Sequence, residues 1–302
     1  MGAQLRVFRR RIKSVGATKK ITKAMELIAS SRIVKAQQRV DAALPYTTEL
    51  LSALSSAAAH SPGQHLFTAK PGEHVRAALC LITADRGLAG AYSSAAIKEG
   101  ESLIRLLNDK GMAVRPYLVG RKGLGFYRFR ERDIAASWTG FTDQPTYDHA
   151  VEIANALIEA FLTPVEEGGC EEIHLVYTHF ENMAVQRVVT RRLLPIEFVV
   201  SDEPRPDGHL FPLYNFEPNP SGVLDVLLPK YVTNLVYTAL LLSAASEHAA
   251  RRRAMKSATD NADELMKSLT RQANQARQAE ITQEISEIVG GADALASAIA
   301  GS

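Results

Sequence analysis

The stretch KYVTNLVYTALLLSAASEHAARRRAMKSATDNADELMKSLTRQANQARQAEITQEISEIV, residues 230–289, decides the fold of this chain. It contains neither Gly nor Pro, the residues that most often end a helix, and it is dense in strong helix formers. The stretch therefore predicts one long helix. At a rise of about 1.5 Å per residue, roughly 60 residues reach on the order of 90 Å, which no small domain can bury. Such a helix needs a partner along its length.

The second half of this helix carries the spacing of a coiled coil. Small and apolar residues recur there at steps of three and four, at Met255, Thr259, Ala262, Met266, Leu269, Ala273 and Ala276. A period near 3.5 keeps one seam facing a second helix in a left-handed supercoil. Polar residues between these positions, such as Asp263 and Lys267, are predicted to face away from the seam.

The N-terminal segment has the same spacing. Its small and apolar residues stand at Leu5, Phe8, Ile12, Val15, Thr18, Thr22, Met25, Ala29, Ile33, Ala36, Val40 and Ala43. Pro45 predicts an end or a kink, with residues 46–59 as a helical continuation beyond it. Two helices with matching periods at opposite ends of one chain pair most simply as an antiparallel coiled coil.

Strand and helix patterns alternate between these two helices. Strands are predicted at 75–83, 114–120, 134–138, 172–179 and 185–194, and helices at 91–110, 121–130 and 147–162. Such alternation predicts an α/β domain with a Rossmann-like, mostly parallel sheet and an antiparallel edge. The predicted organisation is an N-terminal coiled-coil helix (1–59), a Rossmann-like α/β domain (60–222) and a long C-terminal coiled-coil helix (223–302).

No segment has the pattern of an active site. The turn GLAG at 87–90 follows a strand, but the chain contains neither G-x-G-x-x-G nor a P-loop, so a plain strand-to-helix turn is favoured over a phosphate site. His174 and His179 are five residues apart on a predicted strand, which places them on opposite faces. Cys80 and Cys170 lie beside apolar runs without a metal-ligand spacing. We expect no catalytic residue, no metal and no cofactor.

Positive charge is concentrated near the N terminus. The net charge is +2, yet residues 1–45 carry eleven Lys or Arg against two acidic residues. A basic helix can bind nucleic acid electrostatically, so a coiled-coil nucleic-acid binder is one alternative. A nucleotide-dependent α/β enzyme with helical arms is another. Interleaved aromatic residues for base stacking are lacking, so nucleic acid is disfavoured as a partner. The most apolar stretch, 235–245, is shorter than the roughly 20 residues that span a bilayer, and no membrane span is expected.

Four motifs resemble the gamma subunit of F-type ATP synthases. They are KKITKAMELIASSRIVKAQ at 19–37, MKSATDNADELMKSLTRQANQARQAEITQEISEIVGGADAL at 255–295 and, more loosely, ITADRGLAGAYSS at 82–94 and VGRKG at 119–123. The resemblance implies that the paired helices are the rotating central shaft inside a ring of three alpha and three beta subunits. It also implies that this chain has no catalytic site and couples proton flow to ATP synthesis by transmitting torque.

The same resemblance implies the partners and the location. One copy of the chain would contact the alpha and beta subunits, the epsilon subunit and the proton-driven c-ring in the membrane. The complex would lie at the cytoplasmic face of the bacterial cell membrane as a peripheral assembly. The alternative location is the matrix face of the inner mitochondrial membrane.

Residues that contact partners can be carried over from the family by position. Met25 matches the methionine that faces an acidic loop of a beta subunit, and nearby positive charge comes from Lys19, Lys20 and Lys23. A basic patch that faces the catch region consists of Arg251, Arg252 and Arg253. Polar positions that contact the catch loops and the upper bearing are Arg277, Gln278, Thr282 and Glu287. Glu280 stands where the family has a small residue, and the segment after Gly291 resembles the apolar tip in the bearing sleeve.

Overall fold

The computed structural model describes residues 2–60, 67, 75–196, 215–217 and 219–300. The secondary-structure elements are α1 Gly2–Ala59, β1 Arg76–Ile82, α2 Tyr92–Asp109, β2 Ala113–Val119, α3 Arg121–Phe129, β3 Ala136–Trp138, α4 Tyr147–Leu162, a short 3-10 helix Val165–Glu167, β4 Glu172–Phe180, β5 Gln186–Leu194 and α5 Pro220–Ala300. The chain divides into two compact units. A terminal unit contains the chain up to Ile28 and from Arg252 onward, and a central unit contains Ala29–Arg251.

In the terminal unit, α1 and α5 form the antiparallel pair that the spacing predicts. The hydroxyl oxygens of Thr22 and Thr259 lie 2.7 Å apart, and a Cβ added to Gly16 would lie 3.5 Å from the sulfur of Met266. As residue numbers fall along α1, they rise along its partner, so the helices run in opposite directions. The predicted seam on α5 is confirmed, with buried positions at Met255, Thr259, Ala262, Leu269 and Ala273.

The prediction for one seam position on α1 is wrong. Thr18 is exposed, and its hydroxyl donates to the backbone carbonyl of Ser14 at 3.2 Å. Lys19 is half-buried instead, and its ammonium nitrogen lies 2.5 Å from a carboxylate oxygen of Asp263. Asp263 therefore borders the seam and does not face away from it. The reason is that a seam alternates steps of three and four: from Thr22, a step of four reaches Thr18 and a step of three reaches Lys19, and the repeat permits both.

Both terminal helices are more continuous than the sequence predicts. Helix α1 continues through Pro45, and α5 begins at Pro220, contains Pro229 and passes Gly290 and Gly291. The ring of Pro45 removes the hydrogen bond to the carbonyl of Asp41, but both residues are exposed, so water can bond this carbonyl. In the central unit, the amide nitrogen of Asn234 donates to the Thr47 hydroxyl at 2.9 Å, so the two helices also contact each other there.

The central unit contains a five-stranded sheet in the order β3-β2-β1-β4-β5. The first four strands are parallel, and β5 runs antiparallel to β4, as the alternating pattern predicts. Alternate residues of β1 enter two different cores. Ala77, Leu79 and Leu81 pack with residues of α2 and α3 on one face. Ala78, Cys80 and Ile82 pack on the other face with residues of α4, α1 and α5.

Candidate partner-contact surface

The basic residues predicted on α1 differ in their surroundings. Lys20 and Lys23 are exposed, and the Lys23 ammonium nitrogen lies 3.0 Å from a carboxylate oxygen of Glu26. Met25 is half-buried. Lys19 is the member that pairs with Asp263 on the neighbouring helix. Lys20, Lys23 and part of Met25 are therefore open to solvent.

The three consecutive arginines of α5 do not form one exposed patch. Successive residues of a helix point about 100° apart. Arg253 is exposed and Arg252 is half-buried, whereas Arg251 is only 8% exposed. The guanidinium of Arg251 donates to a carboxylate oxygen of Glu247 at 2.6 Å and to the carbonyl of Gly87 at 3.3 Å. The side chain of Arg251 is therefore already bound within the central unit. Its role in contacting a partner stays a prediction.

The predicted contact residues near the end of α5 all face solvent: Arg277, Gln278, Thr282 and Glu287. The side-chain amide of Gln283 donates to the carboxylate of Glu287 at 2.8 Å. Glu280 is half-buried. Every residue from 281 to 292 is exposed, and we name this segment the helical tip.

The helical tip lies beyond the reach of α1. Gly16 lies opposite Met266, and in an antiparallel pair a step back along α1 matches an equal step forward along α5. The first residue of α1, Gly2, therefore lies opposite Glu280. Four large apolar side chains of the tip are nevertheless exposed, at Ile281, Ile285, Ile288 and Val289. Ile288, for example, is 71% exposed. Exposed apolar surface of this kind is typical of a segment that contacts another protein.

The sequence patterns missed a buried polar cluster in the central unit. Glu247, His248 and Arg251 lie on one stretch of α5 and contact polar groups of two loops. Burial raises the pKa of the Glu247 carboxyl, and the neighbouring Arg251 opposes this shift. Burial lowers the pKa of His248 to about 4. The signal in the sequence was a Glu and an Arg four residues apart in a largely apolar run, which is the spacing of a helical ion pair.

The turn after β1 uses its polar groups for its own fold. The carboxylate of Asp85 accepts hydrogen bonds from three backbone N–H groups, those of Arg121, Gly140 and Thr142. Such bonds fix loops and occupy the carboxylate. Within the part of the chain that the structure describes, no group of three or more His, Cys, Asp or Glu is placed to hold a metal ion.

Helix α5 also contains an 18-residue stretch with the composition of a membrane span. Among the described residues, its portion Pro220–Ala292 is the one helix long and apolar enough to cross a bilayer by those two criteria. Of the 18-residue apolar stretch, 56% is buried inside the protein, as in a core helix. The expectation that the chain has no membrane span stays a prediction.

Solved ATP synthase structures share this architecture. The rotor of Euglena gracilis mitochondrial ATP synthase in rotational state 1 matches with a TM-score of 0.60 at 18% identity, over 93% of this chain and 100% of that one. The OSCP/F1/c-ring structure from the same organism, in rotational state 3, matches with a TM-score of 0.65 at 17% identity, over 98% and 95%. These likenesses show that the chain has the fold found in these ATP synthase structures, an α/β domain inserted between two long helices.

Sequence comparisons give the family. A family model described as ATP synthase matches residues 4–295. The ATP synthase gamma chain of Acidothermus cellulolyticus is 58% identical over 295 residues, covering 98% of both chains. That of Thermobifida fusca is 58% identical over 304 residues, covering 100% of both. The chain belongs to the ATP synthase gamma chain family, which confirms the resemblance in its motifs. It is a central-stalk subunit of an F-type ATP synthase and part of a membrane-associated complex.

Proposed function

We propose that this chain transmits torque between the proton-driven c-ring in the membrane and the alpha/beta catalytic hexamer, and that it carries no catalytic site of its own. The observation that carries the proposal is the helical tip. Its apolar side chains are exposed over residues 281–292, beyond the reach of the partner helix. A surrounding protein that buries this surface would hold the tip while allowing it to turn.

The charged residues support contacts with the hexamer along the shaft. Lys20 and Lys23 are exposed on α1 and suit an acidic loop of a beta subunit, and the half-buried Met25 lies on the next turn of the same helix. On α5, Arg252 and Arg253 extend this basic character, and the exposed polar residues further along suit the catch loops, namely Arg277, Gln278, Thr282 and Glu287. A shaft whose faces differ can bias each beta subunit differently as it turns, because only differential contacts shift a conformational equilibrium.

The proposed partners are the alpha and beta subunits, the epsilon subunit and the c-ring, with one copy of this chain per complex. Bacterial gamma chains are identical to this one at more than half of the aligned positions, which supports a location at the cytoplasmic face of the bacterial cell membrane. A nucleic-acid role for the basic helix is not favoured, because the chain belongs to the ATP synthase gamma chain family and its basic segment lacks interleaved aromatic residues for base stacking.

Reconstitution tests the proposal. The chain is extracted from membranes with its complex, and vesicles carrying that complex are assayed for ATP hydrolysis and ATP-driven proton uptake. We expect co-migration with alpha and beta subunits, and a lower proton uptake per ATP when Ile285 and Ile288 are both replaced by Gln. Glu284→Gln, on the same turn, is the matched control and should behave as the wild type. A chain that purifies as a free monomer, or an unchanged ratio in the double variant, would overturn the proposal.

A further inference from the structure

A network of polar side chains ties both long helices to two loops inside the central unit. We name this network the polar clamp, and it consists of Arg32, Asp85, Thr142, Asp143, Glu247, His248 and Arg251. Three members lie on α5 and one on α1, while the others lie in the turn after β1 and in the loop before α4. Each tie joins an element of the shaft to a loop of the α/β sheet.

The first tie centres on Glu247, which is buried almost completely. One carboxylate oxygen accepts a hydrogen bond from Arg251 at 2.6 Å, and the other accepts one from the Thr142 hydroxyl at 3.3 Å. The Thr142 hydroxyl in turn accepts the backbone N–H of Asp85 at 2.9 Å. Because Arg251 also donates to the carbonyl of Gly87, both ends of the tie reach the same turn.

The second tie centres on Asp143. Its carboxylate accepts a hydrogen bond from the guanidinium of Arg32 on α1 at 2.7 Å. Its backbone carbonyl lies 3.1 Å from Nε2 of His248 on α5. Burial keeps His248 neutral by lowering its pKa to about 4, and because a carbonyl can only accept, Nε2 carries the proton and donates. Nδ1 is then an acceptor, and it faces Arg251 at 3.5 Å. One loop residue thus holds both helices.

The energetics indicate what such a network is for. A buried ion pair is a weak source of stability compared with apolar residues of the same volume, because desolvation offsets the attraction. Apart from a few buried polar residues such as Ser243 and Ser246, the surrounding core is apolar, and apolar packing is non-directional. Hydrogen bonds require defined angles, so they resist the rotation of a helix about its own axis. That is the motion that torque would cause.

We propose that the polar clamp is a positioning device that makes α1 and α5 turn together with the sheet domain. This inference rests on the proposed torque function. Its members are positioning residues and carry no chemistry. Loss of one tie should let the helices twist within the domain, so that part of each rotation is lost as strain without unfolding the chain.

Thr142 offers the cleanest variant. Thr142→Val has nearly the same shape but lacks the hydroxyl between Asp85 and Glu247, and Thr142→Ser keeps it. Glu181→Gln is a second control, because Glu181 lies 2.9 Å from Arg187 in an ion pair of the same unit that is far more exposed. If Thr142→Val fails to assemble, Arg32→Gln breaks only the Asp143 tie, at the half-exposed end of the clamp.

The experiment uses the whole complex with its hexamer immobilised and a probe on the sheet domain. We measure the angular fluctuation of the probe in the stalled complex, the proton uptake per ATP and the melting temperature. Thr142→Val should widen the fluctuation and lower the uptake ratio, whereas Thr142→Ser and Glu181→Gln match the wild type. A change in melting temperature alone, or equal fluctuation in all variants, would overturn the clamp. If the wild type itself showed no ATP-driven uptake, the proposed function would fail instead.

Discussion

Thr22 and Thr259 share a hydrogen bond of 2.7 Å although 237 positions separate them along the chain. Each hydroxyl also lies near a carbonyl of its own helix, at 2.8 Å from Met255 for Thr259 and at 3.1 Å from Lys19 for Thr22. A hydroxyl has one hydrogen to donate. One of the two hydroxyls therefore donates across the seam, and the other donates to the carbonyl of its own helix. This bond marks the register of the antiparallel pair.

Valine at these two positions should reveal the coupling between them. Thr22→Val and Thr259→Val each remove a hydroxyl from a buried pair, and each should lower the free energy of unfolding by about 1 kcal/mol. The double variant leaves two apolar groups of matching shape in contact. Its cost should be smaller than the sum of the two single costs. Urea unfolding of the full chain measures all three, and strictly additive costs would show that the hydroxyls do not interact.

Arg251 and Arg253 should respond differently to the same substitution. Arg251→Ala leaves Glu247 buried without its cation, and the loss of one partner of a buried pair costs about 3–5 kcal/mol. Arg253→Ala changes an exposed side chain, and its cost in stability should stay below about 0.5 kcal/mol. Its expected effect is on the proton uptake per ATP of the complex. Equal losses of stability in the two variants would contradict the buried position of Arg251.

His248 should make the stability of the chain depend on pH. The unfolded chain protonates this histidine below its ordinary pKa of about 6.5. The folded chain protonates it only near a pKa of about 4, because burial penalises the cation. Its contribution is therefore complete above about pH 6.5 and falls toward about pH 4, by about 3 kcal/mol.

His248→Gln keeps an amide donor and cannot titrate, which makes it the matched comparison. Glu247 shifts the balance in the opposite sense, since burial raises its pKa, and it is present in both chains. The difference between wild type and variant therefore reports on the histidine. Urea unfolding at a series of pH values should show the wild type losing more stability than His248→Gln as the pH falls. Parallel curves would rule out a neutral, buried His248.

The helical tip should exchange amide hydrogens more readily than the seam of α5. Residues 281–292 are exposed throughout, and a helix of this length without a partner is marginal in water. Amides near Thr259 and Leu269, which lie in the seam, should exchange more slowly in the free chain. Assembly with the hexamer should slow exchange in the tip. No change on assembly would mean that no subunit covers it.

Periodicity in the sequence was enough to place the seam of α5 and the strands of the sheet. Positions such as Met255 and Thr259 repeat at a fixed interval, and this information is local. Thr18 was misplaced because steps of three and of four both fit the repeat, and only the partner helix decides between them. Pro45 and Pro229 did not end their helices, because tertiary packing overrides local propensity.

The polar clamp could not be predicted, for a related reason. Arg32, Asp143 and His248 come from three distant parts of the chain, and no interval in the sequence links them. The pair Glu247 and Arg251 was visible as a helical spacing, but its burial depends on the turn at Gly87. The family motifs supplied the contact residues by resemblance, and contacts with other subunits require those subunits to be present.

The most direct test of torque transmission is to watch the chain turn. Both native cysteines are buried, so a single cysteine introduced at exposed Lys110 can carry a probe on the sheet domain. With the alpha/beta hexamer fixed to a surface, added ATP should drive the probe in one direction in regular steps, and removal of ATP should stop it. Hydrolysis of ATP by the same complexes while the probe keeps a fixed or randomly fluctuating orientation would contradict the account.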